Sequence, residues 1–95
     1  MNIQEIHPKE KEVSAIALFK GEEGVTKNIH LKKGAELSKH QSKTSALLIC
    51  IIGEVTFENE NSVKETLKQG DYLSIEPAVE HWIKSQMDSY LLLIK

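Results

Sequence analysis

Apolar and polar positions alternate along much of this chain, with the period of a β-strand. From Val25 to Leu31, the residues Val25, Lys27, Ile29 and Leu31 share one phase, and Thr26, Asn28 and His30 the other. A two-residue period sends successive side chains to opposite faces of a sheet. Val13 to Phe19 is a second short apolar stretch, ended by the turn Gly21 to Gly24. The segment around which the rest is arranged is Gly34 to Gly53. A glycine turn opens it, a polar stretch with His40 follows, and an apolar run from Ala46 to Ile52 stops at Gly53. The pattern predicts a strand pair with a polar hinge. The apolar run falls far short of the about 20 residues a membrane-spanning helix needs. Its isoleucines and its length favour a buried strand.

Glu54 to Asn59, Val63 to Leu67, Tyr72 to Ile75, His81 to Ser85 and Ser89 to Ile94 also read as strands. Asn59-Glu60-Asn61 and Gln69-Gly70-Asp71 are turns by composition. Glu76-Pro77 interrupts a ladder, because proline has no N–H to donate. No segment keeps a helical period. About eight or nine short strands separated by turns predict an all-β sandwich or barrel. The length makes this one domain, residues 1–95. Residues 1–12 are charged, contain His7-Pro8, and are expected to form an arm or a short edge strand.

Composition narrows the partners. The formal net charge is -2 and there is no arginine. Neither an anionic membrane nor nucleic acid is expected, since arginine dominates bidentate recognition of phosphate and guanine. Cys50 is the single cysteine, which excludes an internal disulfide and fits a reducing compartment. The N-terminus carries Glu5, Lys9, Glu10, Lys11 and Glu12 rather than a signal sequence, so a cytoplasmic location is expected.

Both phases of the central run are apolar: Ala46, Leu48, Cys50 and Ile52 on one face, Leu47, Ile49 and Ile51 on the other. One face fills the interior. The other needs cover from a second sheet or a partner subunit, because a large exposed apolar patch is unusual on a monomer. A homodimer is expected.

The glycines, histidines and proline of this chain resemble the two motifs of the cupin family, which are small jelly-roll β-barrels. In the first motif a glycine is followed after five residues by His-x-His, then a glutamate, then a glycine. Gly34, His40 and Gly53 hold matching positions, while Ser42 stands at the second histidine and Ala46 at the glutamate. In the second motif a glycine leads to a proline with a small residue and then a histidine. Gly70-Asp71, Glu76-Pro77-Ala78 and His81 match it. The resemblance covers residues 25–94 and implies an all-β jelly-roll fold. Cupins commonly pair through their sheets, which points the same way as the apolar second face.

Metal-binding cupins hold their ion with three histidines and a glutamate inside the barrel. Of those four positions, His40 and His81 keep a ligand here. Catalytic metal sites usually take three protein ligands and keep one position open. The resemblance therefore implies no resident cofactor, and at most a weakly bound divalent metal on His40 and His81. A third ligand would have to come from Glu36, Gln41, His30, Glu80 or Cys50. His30 points away from the interior if Ile29 and Leu31 face it, whereas Cys50 shares the phase of Ala46. The implied ligand pocket centres on His40 and His81, with Ser42 and Cys50 as neighbours, and no residue is assigned to catalysis.

Two functional readings follow. One is a binding or sensing module for a small molecule. The other is a metal-dependent cupin enzyme, of dioxygenase or isomerase type, with a rebuilt ligand set. The plain alternatives are two inherited barrel histidines satisfied by Ser42 or water, a cysteine that serves as a core hydrophobe, and a solvated turn at residues 42–45. Trp82 follows His81 and so points to the opposite sheet face, which suits packing or an interface.

Overall fold

A computed structural model describes all 95 residues. Nine strands follow one another: β1 (Val13–Lys20), β2 (Val25–Leu31), β3 (Glu36–His40), β4 (Ala46–Ile52), β5 (Glu54–Asn59), β6 (Lys64–Lys68), β7 (Tyr72–Ile75), β8 (His81–Ser85) and β9 (Ser89–Ile94). They form two antiparallel sheets, ordered β1-β2-β9-β4-β7 and β3-β8-β5-β6. The fold is an all-β jelly roll. Residues 1–12 contribute no strand. They carry a short 3₁₀ turn, Ile3–Glu5, in which the Gln4 N–H donates to the Asn2 side-chain oxygen.

The inward phase of each strand supplies the core. Leu31, Leu48, Cys50, Val55, Ile83 and Leu91 are almost completely buried between the sheets. Register aligns these phases: Cys50 lies opposite Leu91, and Phe57 lies between Ile83 and Glu65. Leu47, Ile49 and Leu92 fall on the outer face of the larger sheet and are only half-buried.

One expectation needs correction. The segments flanking residues 41–45 are not a strand pair. β3 pairs only with β8, at the edge of the smaller sheet, and β4 lies between β9 and β7 in the larger one. The reason is burial. Both faces of β4 are apolar, so it takes a central place with ladders on both sides, whereas Glu36, Ser38, Lys39 and His40 of β3 are exposed and suit an edge. Residues 41–45 carry the chain from one sheet to the other.

Gly53 makes the next change of sheet possible. Its φ of 99° lies in the left-handed region that favours glycine. A Cβ there would collide with the Ser89 hydroxyl and the Asp88 carbonyl. The backbone thus passes directly from β4 to β5, and Glu54 N–H donates to Ser89 Oγ at 3.0 Å. This closes one end of the barrel.

Candidate functional site

The other end carries the histidines. β8 begins at His81 after a turn in which Ala78 adopts a φ of 61°, a conformation uncommon outside glycine. Ala78 N–H donates to the Ser42 carbonyl at 2.8 Å, tying this turn to the segment between the sheets. His81 pairs with Asn59 of β5 on one side and His40 of β3 on the other. A register shift between Leu37 and His40 adjusts the edge strand at this point.

The two imidazoles meet edge to face, with centroids 4.1 Å apart and planes at 64°. His81 is 2% exposed, and Phe57 stacks against it at 5.5 Å. His40 stands exposed at the rim. Their hydrogen bonds define their tautomers. A carbonyl can only accept, so His40 Nδ1 donates to Ser38 O at 2.9 Å and His81 Nδ1 donates to Val79 O at 3.2 Å. In the neutral rings, each Nε2 is then a lone pair. Burial pushes the His81 imidazole below its ordinary pKa, and the neighbouring His40 and Lys95 push the same way against the Val79 carbonyl. The site therefore favours the uncharged His81 ring, whose Nε2 is an acceptor.

His81 also lines a cavity of about 230 Å³ between the edges β6 and β7. Phe57, Leu73, Ile75 and Val79 form its apolar wall, and Glu65 and Asn59 add polar groups. Sequence reasoning missed Glu65, although the signal was present: it lies two residues before inward-facing Leu67 and directly opposite Phe57.

The other expected neighbours have different places. Ser42 is buried at this end, but its hydroxyl donates to Thr44 O at 2.7 Å, so it shapes the loop that receives Ala78. Cys50 is not in the site. It faces the interior as its phase required, but its thiol lies 3.7 and 3.6 Å from the Ile52 and Gly53 carbonyls, at the closed end. The length of β5 separates that end from Asn59 and His81, about 16 Å at 3.3 Å per residue. Burial, then Asp71 and Glu54, push the Cys50 thiol pKa up, as suits a thiol packed in the core.

No third ligand joins the pair. No group of three or more His, Cys, Asp or Glu side chains is placed to share a metal ion. Glu36 is exposed at the start of β3, in strand register with Lys84, Gln41 is exposed, the Glu80 backbone N–H donates to Glu60 Oε2, and His30 lies on the outer face of the other sheet. Two imidazole nitrogens are one donor short of the usual catalytic set. Trp82 points outward as expected, donating to Glu58 Oε2 at 3.2 Å under the Lys39 ammonium. No helix is long and apolar enough to cross a membrane.

The architecture and the paired imidazoles at the barrel mouth define a small jelly-roll protein of the cupin class. The cupin-domain family model matches residues 28–94, and the chain belongs to that family. Several solved structures are similar. A cupin superfamily protein from Desulfitobacterium hafniense DCB-2 is 19% identical, with a TM-score of 0.86 over 98% of this chain and 84% of that one. An RmlC-like cupin from Shewanella frigidimarina NCIMB 400 is 22% identical, with a TM-score of 0.81 over 92% of this chain and 78% of that one. KdgF from Halomonas sp. is 17% identical, with a TM-score of 0.79 over 93% of this chain and 82% of that one. At these identities the likeness establishes fold alone. The curated proteins contain no match.

Proposed function

We propose that this cupin is a binding or sensing module for a small molecule, held at the barrel mouth by His40 and His81. The observation that supports it most is the shared tautomer, in which Nδ1 of each ring donates to a carbonyl and Nε2 is left as the acceptor of a neutral ring, with His81 lining a cavity that has an apolar wall. Such a site suits a ligand with an apolar body and a hydroxyl, amide or amine N–H directed at His81. The test is a thermal-shift screen of small polar-headed compounds on the full chain. A hit that stabilises the wild type and is lost in His81→Ala is expected. A hit list unchanged by His81→Ala contradicts the site.

A second reading has its own support. Metal-ligating histidines usually donate one ring nitrogen to a carbonyl or carboxylate and present the other, as both histidines do here. On that reading the ligand set of a metal-dependent enzyme would be completed by groups from outside the pair. Metal analysis of untagged protein purified without chelator separates the two. Near-stoichiometric iron, manganese, nickel or zinc that falls in His81→Ala would overturn the binding-module reading.

We also infer that a second copy of the chain covers the outer face of the larger sheet. Leu47 lies opposite Ile94, and Ile49 opposite Leu92, forming an uncharged apolar strip that a two-fold axis can pair with itself. Ile49→Lys is expected to convert a dimer to a monomer in sedimentation velocity. A wild-type monomer at all concentrations contradicts this.

A further inference from the structure

The outer face of the larger sheet holds a second histidine cluster, separate from the barrel mouth. The N-terminal arm crosses this face and places His7 over β2. His7 Nε2 donates to Asn28 Oδ1 at 2.6 Å, and Nδ1 lies 2.9 Å from Ser14 Oγ. Asn28 is fully buried and its Nδ2 donates to Leu91 O, which orients its oxygen toward His7 and settles that tautomer too. In the neutral ring Nδ1 then accepts from the Ser14 hydroxyl. Beside His7, the His30 ring stacks on Tyr90 with centroids 4.4 Å apart and planes at 12°.

His30 is the exception among these groups. Its side chain is 9% exposed, and neither ring nitrogen has a hydrogen-bond partner. Its Nε2 lies 4.0 Å from Asp88 Oδ2, beyond hydrogen-bond reach. Buried polar atoms are nearly always paired, and an orphaned one is costly. This ring lines a hollow of about 350 Å³ between the arm and the sheet. Gln4, His7, Lys9, Lys32, Asp88 and Tyr90 are among its other walls. Two basic residues and one acidic residue thus border it. That carboxylate is already engaged, since Lys33 N–H donates to Asp88 Oδ1 at 3.0 Å. Lys32 is held over the arm by donating to the Lys9 carbonyl.

We propose that this hollow is a second binding site, for a small oxyanion such as a carboxylate or phosphate group. The anion would accept charge-assisted hydrogen bonds from Lys9 and Lys32, and a small turn of the covered His30 ring would bring its orphaned N–H to the same ligand. The arm supplies one wall, so binding would also fasten residues 4–9 to the sheet. Nothing in this site involves His40, His81 or the barrel cavity.

The test is a titration of the ¹⁵N-labelled full chain at neutral pH, followed by amide shifts. The probes are inorganic phosphate and acetate, each against sodium chloride of equal ionic strength. Saturable shifts concentrated at Lys9, His30, Lys32 and Tyr90 are expected with at least one probe, and the tighter probe names the oxyanion. Lys32→Gln is expected to weaken that binding about tenfold. Lys9→Gln, at an exposed position, should weaken it in the same direction, while His81→Ala leaves it unchanged. Shifts that follow ionic strength alone, or binding equal in wild type, Lys9→Gln and Lys32→Gln, overturn the proposal.

Discussion

The molecule contains two histidine pairs that solve the same problem differently. At the barrel mouth, buried His81 donates Nδ1 to a backbone carbonyl and lines a cavity, and His40, its ring centroid 4.1 Å away, also donates Nδ1 to a carbonyl. Under the arm, His7 is the satisfied partner, and buried His30, 5.4 Å away, has neither nitrogen bonded. The inner pair rests on strand register and on the turn before β8. The outer pair rests on the docking of an irregular arm. The difference shows that a histidine's surroundings, more than its burial, decide whether its ring nitrogens find partners.

The largest effect should come from removing the group that holds the outer pair together. Asn28→Ala deprives His7 Nε2 and the Leu91 carbonyl of their partner inside a fully buried site. A loss of about 3 kcal/mol is expected in urea denaturation, with the arm amides losing hydrogen-exchange protection. If stability falls while the arm stays protected, Asn28 is a core residue and not the anchor of the arm.

A smaller effect is expected with pH, and it involves both pairs. Burial is the main cause that lowers the pKa of His30 and of His81 from 6.5. For His30, Asp88 opposes that shift, while His7 and Lys32 add to it. As pH falls through 6.5 the unfolded chain takes up protons that the folded rings refuse, so stability is full above 6.5 and declines below it. The urea midpoint should be lower at about pH 5.5 than at about pH 7.5. His30→Gln and His81→Gln should each flatten part of that slope. A slope unchanged in both variants would mean that carboxylates control it.

How much of this was legible in the sequence depended on what each feature rests on. The two-residue phase placed Ile29, Leu31, Leu48 and Cys50 inside and sent His30 and Trp82 outward, because side-chain alternation is a local property of a strand. The motif spacing brought His40 and His81 together, although they lie on different strands. Phase gives the face but not the level along the barrel. Cys50 was therefore expected beside the histidines, while register put it at the closed end with Gly53. Pairing across residues 41–45 was misjudged for a related reason: adjacency along the chain does not reveal which sheet receives each strand. The burial of His30 was not legible either, because an arm without strand periodicity provides its cover.

The barrel mouth rests above all on a tautomer: Nδ1 of His40 and of His81 carries the proton, and Nε2 is the acceptor. The direct measurement is the set of imidazole ¹⁵N shifts and two-bond couplings of histidine-labelled protein at about pH 7.5, where unperturbed histidine is mostly neutral. A protonated Nδ1 and a bare Nε2 are expected for both His40 and His81. A proton on Nε2 of His81, or an imidazolium there at that pH, would contradict this assignment.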